Sequence, residues 1–132
     1  MTYIPILDCV ADMQIVLGWN MSGDIKAGID TYSNADGSTV TTQISGITST
    51  EIQATMHDAD LLRERLKIIK VYILAVEGRK DKDYLSGDTI LVGDSSESSL
   101  TKIYDLKAAG INNYRWRVYR VIARPKNLFS NQ

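Results

Sequence analysis

The most regular alternation of apolar and polar positions runs from Val10 to Trp19. Ala11, Met13, Ile15, Leu17 and Trp19 fall on one side of an extended chain, with Asp12, Gln14 and Gly18 on the other. A period of two over this length predicts a half-buried β-strand. From Asn20 to Ser49 the pattern lapses into Gly, Ser, Thr, Asn and Asp, with apolar residues occurring singly. A connection this long exceeds what compact domains ordinarily use, so it reads as an ordered excursion or a mobile flap, with Asp36-Gly37 marking a turn inside it.

Helical spacing takes over next. Thr50 with Gln53 three residues later fits a capping box, and Ile52, Met56, Ala59, Leu62 and Leu66 form one apolar stripe. Asp58 and Asp60 precede Arg63 and Arg65, setting opposite charges at neighbouring helical positions. Without a stop signal the chain enters Lys67–Val76, whose β-branched density predicts a strand covered on both faces and central in its sheet. Residues 77–81 read as a charged turn, Thr89–Val92 as a short strand and Asp94–Ser99 as a polar loop. Leu100–Leu106 is a short strand or an irregular arm. Tyr114–Arg124 reads as a long strand that Pro125 ends. The sum is an α+β domain spanning residues 1–132: an antiparallel sheet with one main helix and long loops.

Composition narrows the function. A chain of 132 residues can bury a core without a metal or disulfide staple. Fifteen basic against 16 acidic residues leave a net charge of -1, which gives no overall attraction to nucleic acid or anionic membrane. One cysteine and one histidine exclude an internal disulfide, a cysteine-based zinc site and a His-rich metal centre. His57 lies beside Asp58 and Asp60, but sequence neighbours on a helix do not face each other, and the chain has no nucleophile elbow or phosphate-binding glycine loop. No enzymatic activity and no cofactor are expected.

Two constellations remain. Asp24, Asp30, Asn34 and Asp36, interleaved with Gly23, Gly28 and Gly37, offer the hard oxygen ligands that calcium takes. Their spacing departs from an EF-hand and no glutamate closes the set, so the competing reading is a solvated loop using Asp and Asn for turns. The second constellation is the strand 114–124, where Arg115, Arg117, Arg120 and Arg124 interleave with Tyr114, Trp116 and Tyr119. Arg115 and Arg117 share a face with Tyr119, while Trp116 and Val118 point the other way. Such a strand is one way to hold DNA or another polyanion; the competing reading is that arginines keep an edge strand soluble.

Read in order, several segments resemble the C-terminal globular part of PilW-like minor pilins of type IV pilus assembly. They are Leu7–Gln14 (LDCVADMQ) running into Val16–Gly18 (VLG), Leu62–Lys67 (LRERLK) with Val71–Ala75 (VYILA), Glu77–Asp81 (EGRKD), Tyr114–Tyr119 (YRWRVY) and Arg124–Leu128 (RPKNL). The match spans Leu7 to Leu128, and its specificity lies in the order and spacing of pieces, none of which is a catalytic signature. Prepilins begin with a basic leader, a cleavage site and a hydrophobic helix carrying an early glutamate, and this sequence shows none of these. The resemblance therefore implies a pilin-type globular head without that helix: the soluble part of a longer prepilin-type protein, or a separately encoded subunit.

It further implies a non-catalytic structural or assembly role in a type IV pilus or related secretion pseudopilus. The partners would be other minor pilins or assembly proteins, bound through the 20–49 and 94–99 loops or by edge-strand pairing. Location would be the periplasm or cell surface, with membrane contact only through the missing helix. Cys9 would then pair with a cysteine outside this chain; otherwise it is a buried, unreactive thiol. The alternative function is a polyanion-binding module using strand 114–124.

Overall fold

A computed structural model describes residues 10–24, 26–93 and 98–126. Cys9 and most of the 94–99 loop lie outside the described residues. The architecture is α+β. Five strands form an antiparallel sheet in the order β3-β2-β1-β4-β7: β1 Val10–Trp19, β2 Thr31–Asn34, β3 Val40–Thr42, β4 Leu66–Glu77 and β7 Arg115–Ala123. A separate hairpin pairs β5 (Thr89–Val92) with β6 (Lys102–Asp105). Two short helices, α1 (Ser49–Met56) and α2 (Ala59–Arg65), precede β4.

The single helix expected from the apolar stripe is thus broken in two, and the break has a local cause. Asp58 is itself an N-cap, its carboxylate accepting from the backbone N–H groups of Asp60 and Leu61 at 3.0 and 3.2 Å. A capping side chain inside the stripe starts a new helix instead of continuing the old one. The first cap also shifts. Thr48, not Thr50, caps α1, and the reciprocal partner is Glu51, not Gln53: the Glu51 carboxylate accepts from the Thr48 N–H at 2.8 Å and from its hydroxyl. α2 feeds straight into β4, as expected, since Arg65 ends one element and Leu66 begins the next.

The 20–49 excursion is ordered. It returns along β1 as β2, which pairs Leu17 with Ser33 and Trp19 with Thr31, and then folds back as β3. These strands escape a hydrophobic pattern because their buried residues are polar: Thr31 and Ser33 are fully enclosed. Each is satisfied where it lies, the Thr31 and Thr42 hydroxyls sharing a hydrogen bond and the Trp19 indole donating to Ser33 Oγ at 2.9 Å.

The two sheet faces are covered differently. On the first face, Val16, Tyr72 and Leu74 pack beneath the β5–β6 hairpin through Val92, Leu100, Ile90 and Tyr104, with Trp116 and Val118 at the side. On the second face, Trp19 and Met21 form a core with Ile52 of α1, joined by Leu17, Met56, Leu62 and Leu66. This overturns part of the expectation for β1. Its side assigned to polar residues carries the buried Val16 and Gly18, whereas Met13, on the apolar side, is 54% exposed. β4 is likewise not fully covered. It is flanked by β1 and β7, although the middle strand is β1, and its Ile69, Val71 and Ile73 are only half-buried. The core under the helices reaches Leu17, and beyond it the apolar alternation continues where no described layer covers it.

Gly18 leaves room on the first face for the side chains of its two flanking strands. A Cβ there would overlap the Ile68 Cγ2 methyl and sit 3.2 Å from the Tyr32 ring. Gly18→Ala should therefore destabilise the domain by about 1–3 kcal/mol through overpacking, read from the urea midpoint. Ile68→Ala in the same chain removes the obstructing methyl, so the double variant should lose less than the sum of the two single changes.

Candidate functional site

The expected calcium ligands do not converge. Asp24 and Asp30 belong to the β1–β2 loop, Asn34 ends β2 and Asp36 lies in the β2–β3 turn. The Asp30 carboxylate is occupied by its own loop, accepting from the Met21 N–H at 3.0 Å, the Ser22 N–H at 3.1 Å and the Thr31 hydroxyl at 2.8 Å. Asp24 accepts from the Lys26 N–H at 2.9 Å. In the turn, Asn34 accepts from the Thr39 N–H and Asp36 from the Ser38 N–H. The Ser38 hydroxyl and then its backbone N–H hold the Asp36 carboxyl below its ordinary value. These oxygens organise two turns, and among the described residues no group of three or more acidic, histidine or cysteine side chains is arranged to hold a metal. His57 is the exposed C-cap of α1.

β7 is the long strand expected, and its register with β4 fixes where each arginine lies. Glu77 pairs with Arg115, Ala75 with Arg117, Ile73 with Tyr119 and Val71 with Val121, all on the second face. Tyr72 pairs with Arg120, putting that guanidinium on the first face beside Val118 and Ile122. Arg124 follows the strand and is exposed. The four arginines therefore do not form one platform.

Two of them are already engaged. Arg117 lies 3.1 Å from Glu77, and Arg115 lies 3.8 Å from Asp81 while stacking over the Tyr84 ring at 4.2 Å. These ion pairs are exposed and contribute little to stability. Their effect is positional, holding both side chains over the end of the sheet. Trp116 is fixed by its indole N–H, which donates to the Ile111 carbonyl at 2.8 Å. Arg120 and Arg124 have no ion-pair partner among the described residues.

The charged turn contributes more than its sequence suggested. Arg79, Lys80, Asp81, Lys82, Asp83 and Arg115 line an open cleft of about 620 Å³ at the same end of the sheet. Arg79, Lys80 and Lys82 are exposed and form no ion pair among the described residues. The signal in the sequence was the RKDK run, whose proximity to Arg115 depends on β4 and β7 ending together.

The third feature is the part of the second face that no other described element covers. Cross-strand rows Met13–Ile73–Tyr119 and Ile15–Val71–Val121 run across β1, β4 and β7. Val121 is 54% exposed, like Met13, and none of these six residues belongs to either core cluster. No helix of the described residues is long and apolar enough to cross a membrane. Comparison of the chain with known protein families, curated proteins and solved structures finds no match.

Tyr119 donates its hydroxyl proton to Glu77 Oε1 at 2.9 Å, and this bond, followed by desolvation and the carboxylate charge, raises the phenol above its ordinary value of 10.0. The folded state thus holds that proton more tightly than the unfolded chain. The associated stabilisation is complete below the unfolded value and is lost as pH climbs through the higher folded one. In a near-ultraviolet phenolate titration, with Tyr119→Phe assigning the signal, Tyr119 should ionise later than a free tyrosine, and Glu77→Gln should move it back down.

Proposed function

We propose that this chain is the globular head of a PilW-like minor pilin: a non-catalytic subunit of a type IV pilus or related secretion pseudopilus, acting through protein–protein contacts. The observation that carries the reading is the open apolar strip on the second face. Three strands about 4.8 Å apart make a strip about 10 Å wide, close to the diameter of one α-helix. Contiguous apolar surface of this kind marks an interaction site on an otherwise polar protein. An apolar helix of prepilin type, from the same polypeptide or a partner subunit, is the cover that the sequence resemblance supplies. In that reading the partners are other minor pilins or assembly proteins, and the location is the periplasm or cell surface.

The polyanion alternative draws on the cationic cleft of Arg79, Lys80 and Lys82 beside Arg115. It is the weaker reading, because Glu77 and Asp81 already engage two of the four strand arginines and Arg120 faces away from them.

The test uses Met13 and Val121, which are exposed in the chain as it stands. A Met13→Ser, Val121→Ser variant should keep its urea stability within about 0.5 kcal/mol of the parent. Antibody against the chain should find the parent in the sheared filament or inner-membrane fraction of source cells, and the variant reduced there severalfold or more. A parent polypeptide confined to the soluble fraction, with no pilus subunit co-purifying, overturns the reading.

A further inference from the structure

β7 pairs with β4 along one edge, and no described strand pairs with the other. The opposite border of the sheet is β3, a strand of only 3 residues. β7 has 9 residues and keeps an unbroken register with β4 from Ile69↔Ala123 to Glu77↔Arg115, without bulge or proline. A long, regular edge presents a row of unpaired backbone N–H and C=O groups, and proteins usually blunt such edges with bulges, prolines, short length or charge. Charge is the only one of these devices β7 uses.

The charge is of one sign. Residues 115–124 carry Arg115, Arg117, Arg120 and Arg124 and no acidic residue. The carboxylates that balance two of these guanidiniums come from Glu77 and Asp81, on the inner side of β7 toward β4 and its following turn. Between Arg120 and Arg124 the strand turns apolar, and its residues are exposed on both faces: Val121 on the second and Ile122, 43% exposed, on the first. Side chains open on both sides of an edge are what a further strand would cover.

From this edge we infer that β7 is a docking strand for an extended acidic segment of another protein, which adds to the sheet as a sixth strand. A second copy of this chain is the wrong occupant, since self-pairing would set four arginines against four. Antiparallel addition is the more stable mode per residue. Its register then dictates the partner's pattern, read from the partner's N-terminal end: apolar residues opposite Ile122 and Val121, an acid opposite Arg120, and acids at alternate positions opposite Arg117 and Arg115. Main-chain hydrogen bonds supply the affinity, and the acids and the apolar pair supply the register. This inference rests on the edge of β7 and shares only Val121 with the apolar strip; its readout, protection of edge amides by an added peptide, is separate from the cell fractionation that tests the pilin reading.

The probe is the blocked peptide Val-Ile-Glu-Thr-Thr-Glu-Thr-Glu, added to the intact chain. Amide exchange is followed residue by residue over 115–123. Saturating peptide should slow the outward-facing β7 amides, those not already bonded to β4, by about tenfold or more. A peptide with lysine in place of each glutamate should slow none of them. A peptide N-methylated at alternate residues keeps every charge but cannot complete the ladder, and it too should have no effect. An Arg120→Glu variant, checked for unchanged urea stability, should weaken the acidic peptide severalfold, and a peptide with lysine only at the position opposite residue 120 should recover that loss. The inference is overturned if the N-methylated peptide binds as well as its parent, if protection falls outside β7, or if single-stranded DNA protects these amides while the acidic peptide does not.

Discussion

The ladder between β1 and β4 is the constraint on which the rest of this fold depends. It runs from Val10↔Ala75 to Trp19↔Leu66, with irregularities near its two ends, and the other three strands of the sheet extend from its two sides. β2 and β3 extend the sheet from β1, β7 extends it from β4, and α2 enters β4 without a linker. The ladder also fixes which residues face the hairpin and which face the helices. Gly18, directly opposite Ile68, leaves the space that the Ile68 side chain occupies and a methyl group would take. A change in this register by one residue would invert the faces of one strand relative to the other and disrupt both cores together.

The two covers of that sheet are unequal, and the inequality is where interaction surfaces arise. The hairpin encloses the first face along Val16, Tyr72 and Leu74, so that side is a finished core. Among the described residues the helices enclose only the end of the second face around Trp19 and Ile52, and none covers the rows through Met13 and Val121. The same asymmetry holds for the edges, a clipped β3 on one side and a full-length β7 on the other. An apolar strip and a basic edge therefore meet along β7. The first calls for an apolar cover over the face and the second for an acidic strand along the edge, and the two share only Val121.

Polar residues in this structure work mostly on the backbone. Asp30, Asp36 and Asn34, whose residue types suit calcium, spend their oxygens on N–H groups of their own turns. Thr31 and Ser33 lie in the core because partners for their hydroxyls lie beside them. Glu77 alone joins two elements through two side chains of β7, binding the Arg117 guanidinium and accepting from the Tyr119 hydroxyl. These roles account for why a Gly-, Ser- and Asp-rich stretch folds as an ordered pair of strands without contributing apolar bulk.

Local pattern was enough to reveal the strands of β1, β4, β5 and β7, the antiparallel α+β class and the direct passage from helix to strand, because a period of two and a run of β-branched residues are properties of neighbours along the chain. The same pattern failed for β2 and β3, whose buried side chains are polar, and for the helical break, where Asp58 caps a new helix inside an unbroken apolar stripe. It also set Met13 on the side to be covered and Gly18 on the polar side, against what the fold does with them, since both faces carry apolar residues and alternation alone does not say which one a second layer will cover. The joining of the 79–82 turn to Arg115, and the separation of Arg120 from Arg117, followed only from strand order and cross-strand register. Those are long-range properties, set by which strands meet and which layers fit over them, and they decide what this protein presents to a partner.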